Sequence, residues 1–283
     1  MKVTTWNVNG IRARVAQVRE WVARESPDVL CMQEIKASPE HVPAELAALE
    51  GYWGHWHGHK GYSGVALHLS KSAFPRTPRF EHPEFDHENR IVAARSGDAL
   101  IASIYVPNGN KDYPAKVRFL EALAKWAGEQ RRTTERMILC GDLNVAREER
   151  DVHPVLRKPE QIGQTPAERA LLEAVIAPGF VDLSRKFKPD DDRLFTWWAP
   201  WRNLRQRNIG WRLDYVLAST ALAEKATSCE VYREFGTSDH GPVQAIFDLP
   251  PAEVLPPEEP ESGEPKAAAP TPAAPRGQLP LKL

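Results

Sequence analysis

Short apolar runs alternate with longer segments of helical spacing along most of the chain, which predicts an α/β fold rather than an all-α or all-β one. The first strand covers residues 3–8. Val15, Val18 and Val22 follow at helical spacing beside Trp21, and Pro27 stops that helix before the apolar run Asp28-Val29-Leu30-Cys31-Met32. The chain therefore opens as β-α-β. Further strands are predicted at 64–69, 90–94 and 100–106, and Ser96-Gly97-Asp98 reads as a hairpin turn that makes the last two antiparallel. A helix over 114–130 carries Val117, Leu120, Leu123 and Ala124 on one face and leads into a strand at 137–140. Thr165-Pro166-Ala167-Glu168 has the form of a capping box with Pro at the first helical position, opening a helix to about Val175. Late strands fall at 194–198, 212–218, 229–233 and 243–249.

The polar residues sit where these runs end. Trp6-Asn7-Val8-Asn9-Gly10, Gln33-Glu34, Tyr105-Val106-Pro107-Asn108-Gly109, Gly141-Asp142-Leu143-Asn144, Leu213-Asp214-Tyr215 and Ser238-Asp239-His240-Gly241 each close a run with acids, amides or a histidine. One such end is ordinary. Six of them predict a rim of a sheet core where acids and amides converge, because active sites are built from loops held at strand ends.

Composition divides the chain. From Pro250 onward ten of the 25 Pro residues and five Glu fall in a stretch without any aromatic residue, which predicts a disordered tail or tether. Residues 1–249 are read as one folded domain and 250–283 as that tail. The 37 basic residues balance 38 acidic ones, which excludes a strongly basic nucleic-acid coat and leaves room for a local basic groove. No apolar run approaches the roughly 20 residues of a membrane helix. The amino terminus lacks signal-peptide character, so a cytoplasmic protein is expected. Cys31, Cys140 and Cys229 are widely spaced and odd in number, which suggests neither a disulfide framework nor a zinc site, and burial as small apolar residues is expected.

Each strand end has a plain reading beside a chemical one. Glu34, after the run VLCMQ, stands at the edge of the core as a surface carboxylate or as a ligand for a hard cation such as Mg²⁺. No Cys or His cluster competes for a softer metal. Asp142 and Asn144 fall on one side if their strand continues, where they orient a water, or they form a turn. Asp239 and His240 are an Asx-turn, or a metal ligand and an acid-base or phosphate contact. Asp214 lies in an apolar strand and needs a partner to offset its desolvation, for which His240 is the candidate. Tyr105 and Asn108 suit a phosphate oxygen, and equally a core aromatic and a turn. Between Phe195 and Trp211, Trp197, Trp198, Trp201 and Trp211 interleave with Arg202, Arg205, Arg207 and Arg212, either as core plus a solvated loop or as a surface for backbone phosphates and unstacked sugars.

TWNVNGIRAR, MQEIK, YVPNG, GDLNVA, GWRLDYVLAS and SDHGPV, in this order over residues 2–249, resemble the exonuclease III family of abasic-site endonucleases in the endonuclease/exonuclease/phosphatase superfamily. GDLN and SDH mark the superfamily, whereas NVNGIRAR with GWRLDY points to the DNA-repair branch. The resemblance implies a four-layer α/β sandwich of two mixed, largely antiparallel sheets flanked by helices. It also implies Mg²⁺-dependent cleavage of duplex DNA at abasic sites or blocked 3′ ends, with Mn²⁺ as a substitute. A monomer is expected, with no membrane and no obligate protein partner.

Carried over by motif, Glu34 is the central metal ligand with Asn9 and Asp239 nearby. Asn7 and Asn144 position the phosphate and the nucleophile, and with Asp142 they border the metal. Asp142 orients and deprotonates the attacking water. Tyr105, Asn108 and His240 hold the non-bridging oxygens, and Asp214 fixes His240. Trp197, Trp211 and Leu213 form the apolar pocket for a flipped-out, baseless deoxyribose; from the Trp/Arg segment itself, Arg202 and Arg205 are the candidate DNA contacts. Asn9 stands where some relatives have Asp, which supplies a neutral ligand. The 153–164 loop carries no transferable motif. Two other readings are a superfamily phosphatase acting on a small-molecule or lipid phosphate, and a non-catalytic DNA-binding protein.

Overall fold

The computed structural model describes residues 1–249; the expected tail at 250–283 lies outside the described residues. In chain order the strands are β1 (Lys2–Asn7), β2 (Val29–Gln33), β3 (Tyr52–His59), β4 (Tyr62–Ser70), β5 (Arg79–Glu81), β6 (Ile91–Ser96), β7 (Ala99–Tyr105), β8 (Arg136–Asp142), β9 (Phe180–Asp182), β10 (Asp214–Ser219), β11 (Ala226–Val231) and β12 (Val243–Phe247). The α-helices are α1 (Val15–Glu25), α2 (Ala44–Ala47), α3 (Tyr113–Thr133), α4 (Pro166–Ile176), α5 (Leu183–Phe187) and α6 (Thr220–Lys225). Thr165 caps α4 and Glu168 reaches back to it, as the capping box predicts.

Two six-stranded sheets result, ordered β11-β12-β1-β2-β4-β3 and β5-β6-β7-β8-β10-β9. Each contains one parallel pair, β1 with β2 and β7 with β8, joined through α1 and α3 respectively. The remaining pairs are antiparallel. Helices α3 and α4 pack on the outer face of the second sheet, and α1 covers the first. The four layers are thus helix, sheet, sheet, helix.

Side-chain alternation along each strand decides what the two sheets share. On β2, Val29 and Cys31 enter the core between the sheets while Leu30 and Met32 face the helix layer. On β10, Val216 and Ala218 face inward while Tyr215 and Leu217 face outward. All three cysteines are buried and free. The inward face is apolar along most of its length and becomes polar at one end, where Thr5 bonds Gln33 and Gln33 bonds Ser103 across the sheets. Asn7, Asp142 and Asp214 continue that inward parity to the ends of β1, β8 and β10. The polar site is the terminus of the inter-sheet core.

Three strands escaped the sequence pattern: β3, β5 and β9. β3 is an edge strand rich in His and Gly, and β5 and β9 are three residues long. The strand expected at 194–198 is corrected to isolated bridges, because Trp197 pairs singly with Trp211 and with His240 and builds no ladder.

Gly141 precedes Asp142 with φ 150°, and a Cβ there would stand 1.8 Å from the Ile104 carbonyl oxygen of β7. Gly141→Ala is therefore expected to lower stability by ~2–4 kcal/mol. A urea midpoint equal to that of the parent would contradict this packing.

Candidate active site

The carboxyl ends of β1, β2, β7 and β8 and the segment before β12 open into a cavity of about 330 Å³. Asn9, Glu34, Tyr105, Asn108, Asp142, Asn144, Trp197, Trp211, Leu213, Asp239 and His240 line it. Six strand ends predicted from the sequence to converge do so.

At its buried floor, register sets Asp142 of β8 directly opposite Asp214 of β10. Like charges so placed repel. His240 resolves the conflict: its Nδ1 lies 2.8 Å from Asp214 Oδ2 and its Nε2 lies 3.8 Å from Asp142 Oδ2. Burial alone would lower the imidazole's pKa, but Asp214 and Asp142 overcome it and raise it to about 10. Burial pushes the Asp142 carboxyl up to about 7, against the opposing pull of His240, Asn7 and Asn144. The partner expected for Asp214 is thus His240.

Amides fix Asp142 from the other side. Asn7 Nδ2 donates to its Oδ2 at 2.9 Å, and Asn144 donates through Nδ2 to Oδ2 at 3.1 Å and through its backbone N–H to Oδ1 at 3.0 Å. The strand does not continue through Asn144. It ends at Asp142, and Asn144 has a left-handed φ of 51°. A turn, rather than strand alternation, brings the pair together. Glu34 and Asn9 share that left-handed backbone, at φ 54° and 45°. Side chains rarely adopt it, so the cluster is held by its surroundings.

Asn9 Nδ2 donates to Asp239 Oδ1 at 2.8 Å, and Trp197 Nε1 donates to Asp239 Oδ2 at 3.0 Å. Although burial pushes Asp239 up, His240, Trp197 and Asn9 hold it below the usual carboxylate range. Lys36, given no role from the sequence, places its ammonium 2.8 Å from Glu34 Oε1 and 2.7 Å from Asn9 Oδ1. Burial, with Glu34 and Asp142 nearby, holds the Tyr105 phenol well above its ordinary pKa, so it keeps its proton and is a hydrogen-bond donor at neutral pH.

A second residue missed from the sequence is Lys116 on α3. Fully buried, it pairs with Glu168 at 2.6 Å and donates to the Asn144 carbonyl at 2.7 Å, tying the Asp142–Asn144 turn to α4. Its position on the buried face of an amphipathic helix was the available signal.

Trp197 and Trp211 meet edge to face, with centroids 5.8 Å apart, beside Leu213. Arg212, between Trp211 and Leu213, points the other way into a buried pair with Asp151 and Asp182. Gly210 lets the chain pass, since a Cβ there would stand 2.4 Å from the Trp197 carbonyl oxygen. Gln161 and Ile162 bring the 153–164 loop to the cavity wall.

The Trp/Arg segment needs correction. Trp198 and Arg212 are buried. Arg205 donates to the carbonyls of Arg233, Phe235, Gly236 and Ser238 and stacks on Trp198, so its guanidinium staples a loop and is not free for phosphate. Arg202 is exposed beside exposed Trp201 and does not line the cavity.

His240, with its pKa raised from 6.5 to about 10, contributes stability that is full below about pH 6.5 and lost as pH rises through 10. Asp142, raised from 3.8 to about 7, acts with the same sign at lower pH. Chemical denaturation of the metal-free protein is expected to show stability falling from pH 6 to 10, with the upper part of that fall absent in His240→Asn. An identical slope in both proteins would contradict the pairing.

The sequence matches the Endonuclease/Exonuclease/phosphatase family over residues 4–240. It is 34% identical over 253 residues to "DNA repair nuclease APEX1" of Danio rerio, covering 86% of this chain and 81% of the relative. An AP endonuclease structure from Archaeoglobus fulgidus is 30% identical with a TM-score of 0.78, covering 88% of this chain and 100% of the other. The 3′-5′ exonuclease NExo of Neisseria meningitidis is likewise 30% identical, with a TM-score of 0.81 and the same two coverages. The chain belongs to the Endonuclease/Exonuclease/phosphatase family and, within it, to the exonuclease III branch of AP endonucleases and exodeoxyribonucleases.

Proposed function

We propose that this chain is a Mg²⁺-dependent repair nuclease acting in base excision repair. It hydrolyses the phosphodiester on the 5′ side of abasic sites in duplex DNA, and it clears 3′ ends as a phosphodiesterase, phosphatase and 3′→5′ exonuclease. The observation that carries this reading is the junction of two unlike surfaces in one cavity: the acid-amide floor and the recess of Trp197, Trp211 and Leu213. The floor alone suits any phosphoester. The apolar recess beside it suits a sugar without its base. The working form is read as a cytoplasmic monomer.

The donor set suits a hard cation. Glu34 and Asn9 turn oxygens toward one positive charge, the Lys36 ammonium, and Asp239 is tied to Asn9. Glu34, Asn9 and Asp239 would hold Mg²⁺ in its place, with Asn7, Asp142 and Asn144 on the border. Bound there, the ion supplies electrostatic stabilisation of the phosphoryl and leaving oxygens. Asp142, Asp214 and His240 also bring ligand atoms within 4.8 Å of one another, but His240 Nδ1 is spent on Asp214. That trio is assigned to proton chemistry and charge stabilisation.

Asp142, with both oxygens oriented by Asn7 and Asn144, is the base that receives a proton from the attacking water. Its raised pKa makes it a stronger base than an exposed carboxylate. His240, cationic against Asp214, presents Nε2 to a non-bridging phosphoryl oxygen, which Tyr105 and Asn108 also contact. Arg202 is read as an outer contact to DNA beyond the cavity.

An end-labelled duplex with one stable abasic-site analogue is expected to be cut on the 5′ side of the lesion with Mg²⁺ and left intact without it. Glu34→Ala and Asp142→Asn are expected to lower the rate by ~10³-fold or more at unchanged fold. Trp211→Ala should impair incision more than digestion from a recessed 3′ end. Release of phosphate from small phosphoesters without DNA cleavage would favour a phosphatase, and metal-independent binding without product a DNA-binding protein.

A further inference from the structure

Three histidines outside the catalytic cavity meet where the ends of the two sheets come together. His55 and His57 lie two apart on β3, the last strand of the first sheet, and therefore share a face. His82 directly follows β5, the edge strand of the second sheet. One ring nitrogen from each lies within 4.8 Å of the other two. The sequence reading missed this cluster, because 22 positions or more separate His82 from the His-Trp-His-Gly-His run of a strand it did not predict.

The hydrogen bonds around the rings prepare lone pairs. His82 Nδ1 lies 2.9 Å from the Ile91 carbonyl oxygen, which can only accept, so Nδ1 carries the proton and Nε2 bears the lone pair, which without an ion accepts a hydrogen bond from His55 Nε2. That Nε2 stands 3.2 Å from His55 Nε2. Two nitrogens bound to one tetrahedral Zn²⁺ at about 2.0–2.1 Å lie about 3.3 Å apart, nearly the same separation. His57 Nε2 lies 2.9 Å from Asp86 Oδ2, and Asp86 is itself fixed by the backbone N–H groups of Arg90 and Ile91 at 2.7 and 3.0 Å. Asn89 Nδ2 lies 3.3 Å from both ring nitrogens of His57. A carbonyl on one ring and an anchored carboxylate on another are the outer partners by which proteins orient metal-binding histidines. His57 stacks face to face on His82 with centroids 3.7 Å apart, so one of these rings must turn out of the stack for both in-plane lone pairs to reach one ion, while His55 stacks on Phe80 at 5.0 Å.

We propose that His55, His57 and His82 bind one divalent first-row transition-metal ion of the kind imidazole prefers, with Zn²⁺ the representative, and that this ion clamps the edge of one sheet to the edge of the other. Imidazole nitrogens separate this site from the oxygen-lined catalytic cavity, with which it shares no residue. Its consequence is structural, since an ion bound only by the folded chain raises stability by mass action.

The test uses the untagged full chain, stripped with chelator and titrated with Zn²⁺ against a chromophoric competitor. One tight equivalent is expected in the parent and equally in Glu34→Ala, which separates this ion from one in the catalytic cavity. Asp86→Asn should weaken it ~10–100-fold, and His55→Gln and His82→Gln at least as much. Zn²⁺ should raise the Tm of the parent and leave that of His82→Gln unmoved, with Mg²⁺-dependent turnover of His82→Gln unchanged. Should a variant fail to fold, ¹⁵N-imidazole NMR of the parent decides: Zn²⁺ must shift the resonances of these three rings. Equal affinity in parent and His82→Gln, loss of the tight equivalent in Glu34→Ala, or unmoved imidazole resonances would overturn the proposal.

Discussion

The site depends on one buried proton. Antiparallel register places Asp142 against Asp214, both essentially inaccessible to water, with ligand oxygens within 4.8 Å of each other. Two such charges repel by ~3–4 kcal/mol at an effective dielectric of ~20, in addition to their desolvation. A cationic His240, 2.8 Å from one carboxylate and 3.8 Å from the other, turns that repulsion into two attractions. The Trp6 indole and the Ser238 hydroxyl hold the segment that delivers it: Trp6 Nε1 donates to the His240 carbonyl at 3.1 Å, and Ser238 Oγ donates to the Asn7 carbonyl at 2.7 Å. Without the imidazolium the floor of the cavity is an unbalanced pair of anions.

The rest of the architecture serves that floor. Both sheets contain a single parallel pair bridged by a helix, so the carboxyl ends of β1, β2, β7 and β8 finish at one rim. The inward parity that packs Val3, Ile138 and Cys140 in the core carries Asn7 and Asp142 into the site at the strand ends. Packing and chemistry therefore use the same alternation. The buried Lys116–Glu168 pair and the Arg212–Asp151–Asp182 network then lock the turns on either side.

Much of this was readable from residues alone, because it rests on local patterns. Short apolar runs gave most of the central strands, the capping box gave α4, and polar residues at strand ends gave Asn7, Glu34, Asp142, Asp214 and His240. Three things were hidden. Arg205 and Arg212 read as free cations in a basic segment, whereas carbonyls and carboxylates distant in sequence consume them. Lys36 and Lys116 act through partners 27 and 28 positions away, and the His55–His57–His82 cluster forms only once the two sheets are packed.

The most direct test of the central interaction is the protonation state of His240 itself, read by ¹⁵N NMR of selectively labelled, metal-free protein at pH 8. The account predicts both ring nitrogens protonated, with Nδ1–H strongly deshielded by its bond to Asp214. A neutral His240 ring at that pH would contradict it.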